Sequence, residues 1–152
     1  MEFLPFYRAG IVAMADEAQI RSSLQIEVGK LEYQSKPTAF KADVSVAGGP
    51  TPGTILCTTD GTDVSLSELT IPGLCRIQNL DNANFVEVGI WDGVSYYPMM
   101  ELLTGETFVF RLARDLGEEF GTGTGTTGAA INTLRIKADT ASCEVLVEAF
   151  EK

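Results

Sequence analysis

Toward the end of the chain, apolar and polar side chains alternate. Leu134, Ile136 and Ala138 are separated by Arg135 and Lys137, and Cys143, Val145, Val147 and Ala149 alternate with Glu144, Leu146, Glu148 and Phe150. A period of two places each set on one face of a β-strand, so strands are predicted over residues 133–138 and 143–150. The same period recurs at 107–112, where Phe108, Phe110 and Leu112 oppose Thr107, Val109 and Arg111. It recurs again at 38–46, where Phe40, Ala42, Val44 and Val46 oppose Ala39, Lys41, Asp43 and Ser45. Shorter runs at 23–28, 31–35, 54–58, 64–69, 74–80, 85–91 and 94–98 predict further strands.

Turn chemistry separates these runs. Gly29, Asp60-Gly61 and the DNAN of residues 81–84 all favour reversals. Asp92-Gly93 is the strongest hairpin signal in the chain. The GGPTPG of residues 48–53 predicts a loop, because proline donates nothing to a ladder and glycine weakens one. Only residues 16–22 suggest a helix, and a short one. Nine to eleven short strands with regular turns predict an all-β fold, a β-sandwich or barrel, of which a jelly-roll-like β-sandwich is the expectation. The predicted organisation is an N-terminal arm at 1–20 and a single sandwich domain at 21–152, with a Gly/Thr-rich loop at 117–130. Met14 offers an alternative start, which would make the first 13 residues optional.

Composition narrows the chemistry. The chain has 152 residues, a net charge of −10 and no histidine. Without histidine the usual general base, the Ser-His and Cys-His pairs and the commonest transition-metal ligand are missing. The acidic balance opposes phosphate backbones, and Lys and Arg are scattered singly, so no nucleic-acid partner is expected. No stretch reaches the roughly 18 apolar residues of a membrane span. Glu2, Pro5 and Arg8 disrupt the pattern of a signal peptide. The three cysteines, Cys57, Cys75 and Cys143, lack metal or redox spacing and each lies in an apolar run. They read as small buried hydrophobes of a reducing compartment.

Gly123, Gly125 and Gly128 spell G-x-G-x-x-G inside the GTGTGTTGAA of residues 121–130. A dinucleotide fingerprint follows a buried strand and opens a helix. Here Glu118, Glu119 and Phe120 precede it and an alternating strand follows, so the segment reads as a surface loop and no cofactor is expected. Asp60, Asp63 and Glu68 lack the regular offsets of a calcium loop. Adjacent Glu118 and Glu119 would point to opposite faces of a strand and form no acid pair. Phe85, Trp91, Tyr96 and Tyr97 could stack on a sugar or close an interface. Tyr96, Tyr97, Met99 and Met100 crowd together with Glu101 as the only charge between 94 and 104. These four, with Gly121, Gly123, Gly125 and Gly128 of the loop, are the predicted interface residues; no catalytic or metal residue is predicted.

The half of the chain from 72 to 150 resembles small β-sandwich structural proteins of tailed bacteriophages. The resemblance lies in Pro72-Gly73, Ile77, Asn79-Leu80-Asp81, Asn84-Phe85-Val86, Gly105-Glu106, Arg111-Leu112 and the LRIKADTASCEVLVEAF of residues 134–150. It implies a non-enzymatic virion protein, a capsid decoration (cement) or minor head protein, made in the bacterial host cytoplasm. Its partners would be further copies of itself and the major capsid or other virion proteins. A carbohydrate- or calcium-binding module, or a tail or connector component, is the alternative.

Overall fold

The computed structural model describes residues 18–42, 49–112 and 133–151. Among them every regular element is a strand, and the chain divides into two compact units at Ser45/Val46.

In the first unit β1 (Ala18–Ile20) pairs antiparallel with β4 (Phe40–Ala42). The short helix predicted at 16–22 is therefore not formed in its described part: Ala18–Ile20 gains ladder partners, which outweigh weak local propensity. Of the strand predicted at 38–46, residues 40–42 are paired and 43–46 lie outside the described residues. Between them β2 (Leu24–Val28) and β3 (Leu31–Ser35) form a hairpin. Its two-residue turn starts at Gly29, whose φ of +60° is one that L side chains rarely adopt.

The second unit holds eight strands: β5 (Thr51–Cys57), β6 (Thr62–Asp63), β7 (Pro72–Asn79), β8 (Val86–Trp91), β9 (Tyr96–Leu102), β10 (Thr107–Arg111), β11 (Thr133–Ala138) and β12 (Cys143–Glu151). One sheet has the order β10-β7-β12-β5 and the other β6-β11-β8-β9, all antiparallel. The pairs β5·β12, β6·β11, β7·β10 and β8·β9 nest about the Asp92-Gly93 turn, and successive pairs alternate between the sheets. This is a β-sandwich with jelly-roll connectivity, the two-Greek-key roll of eight strands.

The inward faces of both sheets meet in one core. Cys75 and Ile77 of β7, Val86 and Val88 of β8, Leu134 and Ile136 of β11, and Val145 and Val147 of β12 are buried there. At the β5–β6 flank the residues after β6 close the sandwich, with Val64, Leu66 and Leu69 turned inward. The strand predicted at 64–69 is a turn instead, held by Leu69 N donating to Leu66 O and by Glu151, whose carboxylate accepts Thr70 N and Ile71 N. The loop predicted at 48–53 is also corrected, since β5 begins at Thr51 and Pro52 lies opposite Glu148. β5 is the edge of its sheet, where proline costs no ladder bond on the open side.

Candidate functional site

At the opposite flank lie β9 and β10, the edge strands of their respective sheets. Phe108 and Phe110 oppose Ile77 and Cys75 across the β7–β10 ladder, so both rings are on the core face. They stack with centroids 5.7 Å apart. Phe108 is nevertheless 43% exposed, because no further strand covers it. Met100 and Phe110 pack partly against the core, Leu103 is open between β9 and β10, and Val109 is exposed on the other face of β10.

β9 contributes to this flank through an irregularity in its pairing. Val88 opposes Met100 but Gly89 opposes Pro98, leaving Met99 as an extra residue. Bulges of this kind occur at edges and turn a side chain outward. Met99 is accordingly 54% exposed, and Pro98 sits where an edge strand tolerates it. The bulge depends on Gly89. A Cβ there would clash with the Tyr97 carbonyl oxygen and lie 2.8 Å from Cε2 of Tyr96, whose ring lies across the glycine.

The four apolar residues predicted as a contact run thus divide. Tyr97 and Met99 face solvent, Met100 turns to the core, and Tyr96 is half-buried over Gly89. The Tyr96 hydroxyl is buried and makes no hydrogen bond within the described residues. Burial, and then the nearby Glu87 carboxylate, push its pKa upward. Gly121, Gly123, Gly125 and Gly128, with Glu118 and Glu119, lie outside the described residues.

Two arrangements position the flank. Asp92 Oδ1 accepts Val94 N at 2.8 Å and Ser95 N at 2.6 Å, closing the β8–β9 turn, and Tyr97 donates its hydroxyl to Asp92 Oδ2 at 3.2 Å. These backbone donors hold the Asp92 carboxyl below its usual pKa. At the other end Asn79 is wholly buried. Its Nδ2 donates to Asn84 O at 2.8 Å and Leu102 O at 3.2 Å, and its Oδ1 accepts Asp81 N at 3.0 Å. Its backbone also bonds Gly105 and Glu106 in the β9–β10 turn. Asn79, just before the DNAN motif, therefore ties the β7–β8 turn to the β9–β10 turn.

Two of the three acids considered as a cation site, Asp63 and Glu68, serve other partners. Asp63 accepts Arg135 Nε at 2.5 Å, and Glu68 accepts the Thr51 hydroxyl at 2.8 Å. Among the described residues no group of three or more such side chains is placed to hold a metal ion. Arg135 also lies 4.0 Å from the Trp91 ring centroid, so that face of the indole is occupied by a cation rather than open to a sugar. Strand pairing brings Cys57 directly opposite Cys143, which their separation in sequence hides. Both thiols are free and buried; burial and then Cys143 push Cys57 up to about 12, and burial alone takes Cys75 to about 12. Such thiols are poor nucleophiles.

No protein-family model, curated protein or solved structure matches this chain.

Proposed function

We propose that the chain is a non-enzymatic structural protein of a tailed-phage virion, a capsid decoration or minor head protein. It works through contacts with further copies of itself and with the major capsid or other shell proteins. The observation that carries this reading is the open β9–β10 flank of a jelly-roll sandwich, where a core-facing phenylalanine is left in the open between two sheet edges. Apolar surface of this kind marks a contact, and unpaired edges invite one. Three buried thiols of high pKa and a sequence without histidine favour a binding role over a catalytic one. The resemblance of residues 72–150 to tailed-phage sandwich proteins supplies the virion context.

The test is whether the chain travels with particles. In banded virions of the phage that encodes it, mass spectrometry should find the chain at a fixed ratio to the major capsid protein. Particles made without it should recover it when purified protein is added. A chain absent from banded particles, or one that fails to bind shells lacking it, overturns the reading.

A further inference from the structure

Of the four strands that edge the sandwich, three are blunted. β5 carries Pro52 and Gly53, β6 is two residues long, and β9 carries Pro98 and the extra Met99. Prolines, bulges and short strands are how natural sheets refuse a further strand. β10 has none of these. Its TFVFR runs in unbroken register with β7, is rich in aromatic and β-branched residues, and has its one charge, Arg111, at the end.

The ladder with β7 fixes which backbone groups of β10 are left on the open side. Glu106 O accepts Asn79 N at 3.0 Å, and Leu112 N donates to Gly73 O at 2.9 Å. Bonded positions alternate along an antiparallel strand, so Phe108 and Phe110 also bond toward β7. Thr107, Val109 and Arg111 therefore turn their N–H and C=O groups away from β7, toward an edge that no described strand covers.

We propose that β10 pairs antiparallel with β10 of a second copy of this chain, about a two-fold axis at Val109, joining two four-stranded sheets into one. In this register Val109 meets its own copy and Thr107 meets Arg111, so every outward residue of both strands exchanges its backbone bonds. Moving the axis to Phe108 would set Arg111 against Gly105, whose N–H already goes to Asn79 O at 3.1 Å. Moving it to Phe110 would set Thr107 against a residue beyond the end of β10. An axis between two residues would set core-facing side chains against outward ones.

The side chains match in the same register. Phe108, 43% exposed, lies opposite Phe110 of the second copy in the closer, non-hydrogen-bonded type of pair, so the open ring is covered on its core face. The two Arg111 side chains stand at opposite ends of the pair, about 13 Å apart along it, and no like charges oppose each other. The Glu106 carboxylate stays in its own turn, accepting Leu103 N at 2.8 Å. Any extended peptide could bond this backbone, but a strand whose outward groups and aromatic rings complement themselves selects its own copy. The two-fold uses up both edges, so the contact closes at a dimer.

This names one contact of the assembly reading above and rests on it, but its test uses the purified chain alone. Sedimentation velocity over a series into the high micromolar range should show a monomer–dimer equilibrium. Amide exchange at Thr107, Val109 and Arg111 should slow as the dimer forms, while Phe108 and Phe110 are protected throughout. Val109→Pro removes an N–H that the β7 ladder does not use, so it should abolish the dimer and keep the wild-type circular dichroism. Val109→Glu and Val109→Lys each put like charges together at the axis and should weaken the dimer about tenfold. Mixed in equal amounts they should restore it, because residue 109 meets only residue 109. If Val109→Pro misfolds, the Glu and Lys variants decide. A wild type that stays monomeric overturns the inference, as does a dimer that survives Val109→Pro in the folded state. A mixture no tighter than either charged variant alone also overturns it. If the chain is then still found in virions, only this inference has failed.

Discussion

Asn79 is a polar residue with no exposed surface, and its amide meets acceptors and a donor from two segments, the 81–84 turn and the end of β9. Alanine there would leave the Leu102 and Asn84 carbonyls and the Asp81 amide unmet inside the protein. Each unsatisfied buried group costs roughly 1–3 kcal/mol, so Asn79→Ala should lose about 3 kcal/mol of stability in denaturant unfolding. The Asp81 side chain differs in kind, being at the surface. Its Oδ1 accepts Asn84 N at 2.7 Å and Ala83 N at 2.8 Å, and these donors lower its pKa. A carboxyl whose folded pKa is depressed contributes stability above its unfolded pKa, near 3.9, and loses it as pH falls through the folded value. Melting temperature measured down an acid series should therefore fall less steeply for Asp81→Asn than for wild type. The Tyr96 hydroxyl gives the opposite expectation. Because it is buried with no hydrogen-bond partner among the described residues, Tyr96→Phe should be neutral or slightly stabilising in thermal unfolding, while Tyr96→Ala uncovers Gly89 and should destabilise.

At the scale of elements, the β8–β9 pair shows how one glycine sets a surface. Gly89→Ala would drive a methyl into the Tyr97 carbonyl, which is backbone and cannot step aside. The strands would have to part or the bulge reorganise. This substitution should cost at least 2 kcal/mol in denaturant unfolding, at the upper end for an ordinary point change. A wild-type stability would show that the bulge does not require glycine. Strand positions where alternation was regular, 107–112, 133–138 and 143–150, were legible because one face of each packs inward. Positions 52–53 and 64–69 were not. Pro52 is allowed in β5 only because that strand lies at an edge, and 64–69 carries apolar residues as a flank cover rather than as a ladder. Neither fact is local.

Across the molecule, protection from hydrogen exchange should follow position in the sheets. β7 and β12 each have a strand on both sides and bury alternate residues completely, so their amides should exchange most slowly. Amides of β2 and β3 should exchange fast in dilute solution, because that hairpin has two strands and no covered face. If β2–β3 were as protected as β12 in the monomer, the hairpin would already be packed, and its bare face would not exist.

The sequence by itself determined that this is an all-β chain, where most strands lie, which faces of β10, β11 and β12 turn inward, and where Asp92-Gly93 reverses the chain. These properties follow from period-two alternation and from residues whose backbone preferences are intrinsic. Only the tertiary structure decided the rest. Tyr96, Tyr97, Met99 and Met100 read as one apolar run, yet a single extra residue in β9 sends them to different environments. Phe108 shares its face with half-buried Phe110 but stands open because β10 is the last strand of its sheet. Asp63 and Arg135, or Cys57 and Cys143, become neighbours only when the nested pairs roll up. Register and sheet order depend on residues distant in sequence, and no local pattern encodes which strand will be an edge.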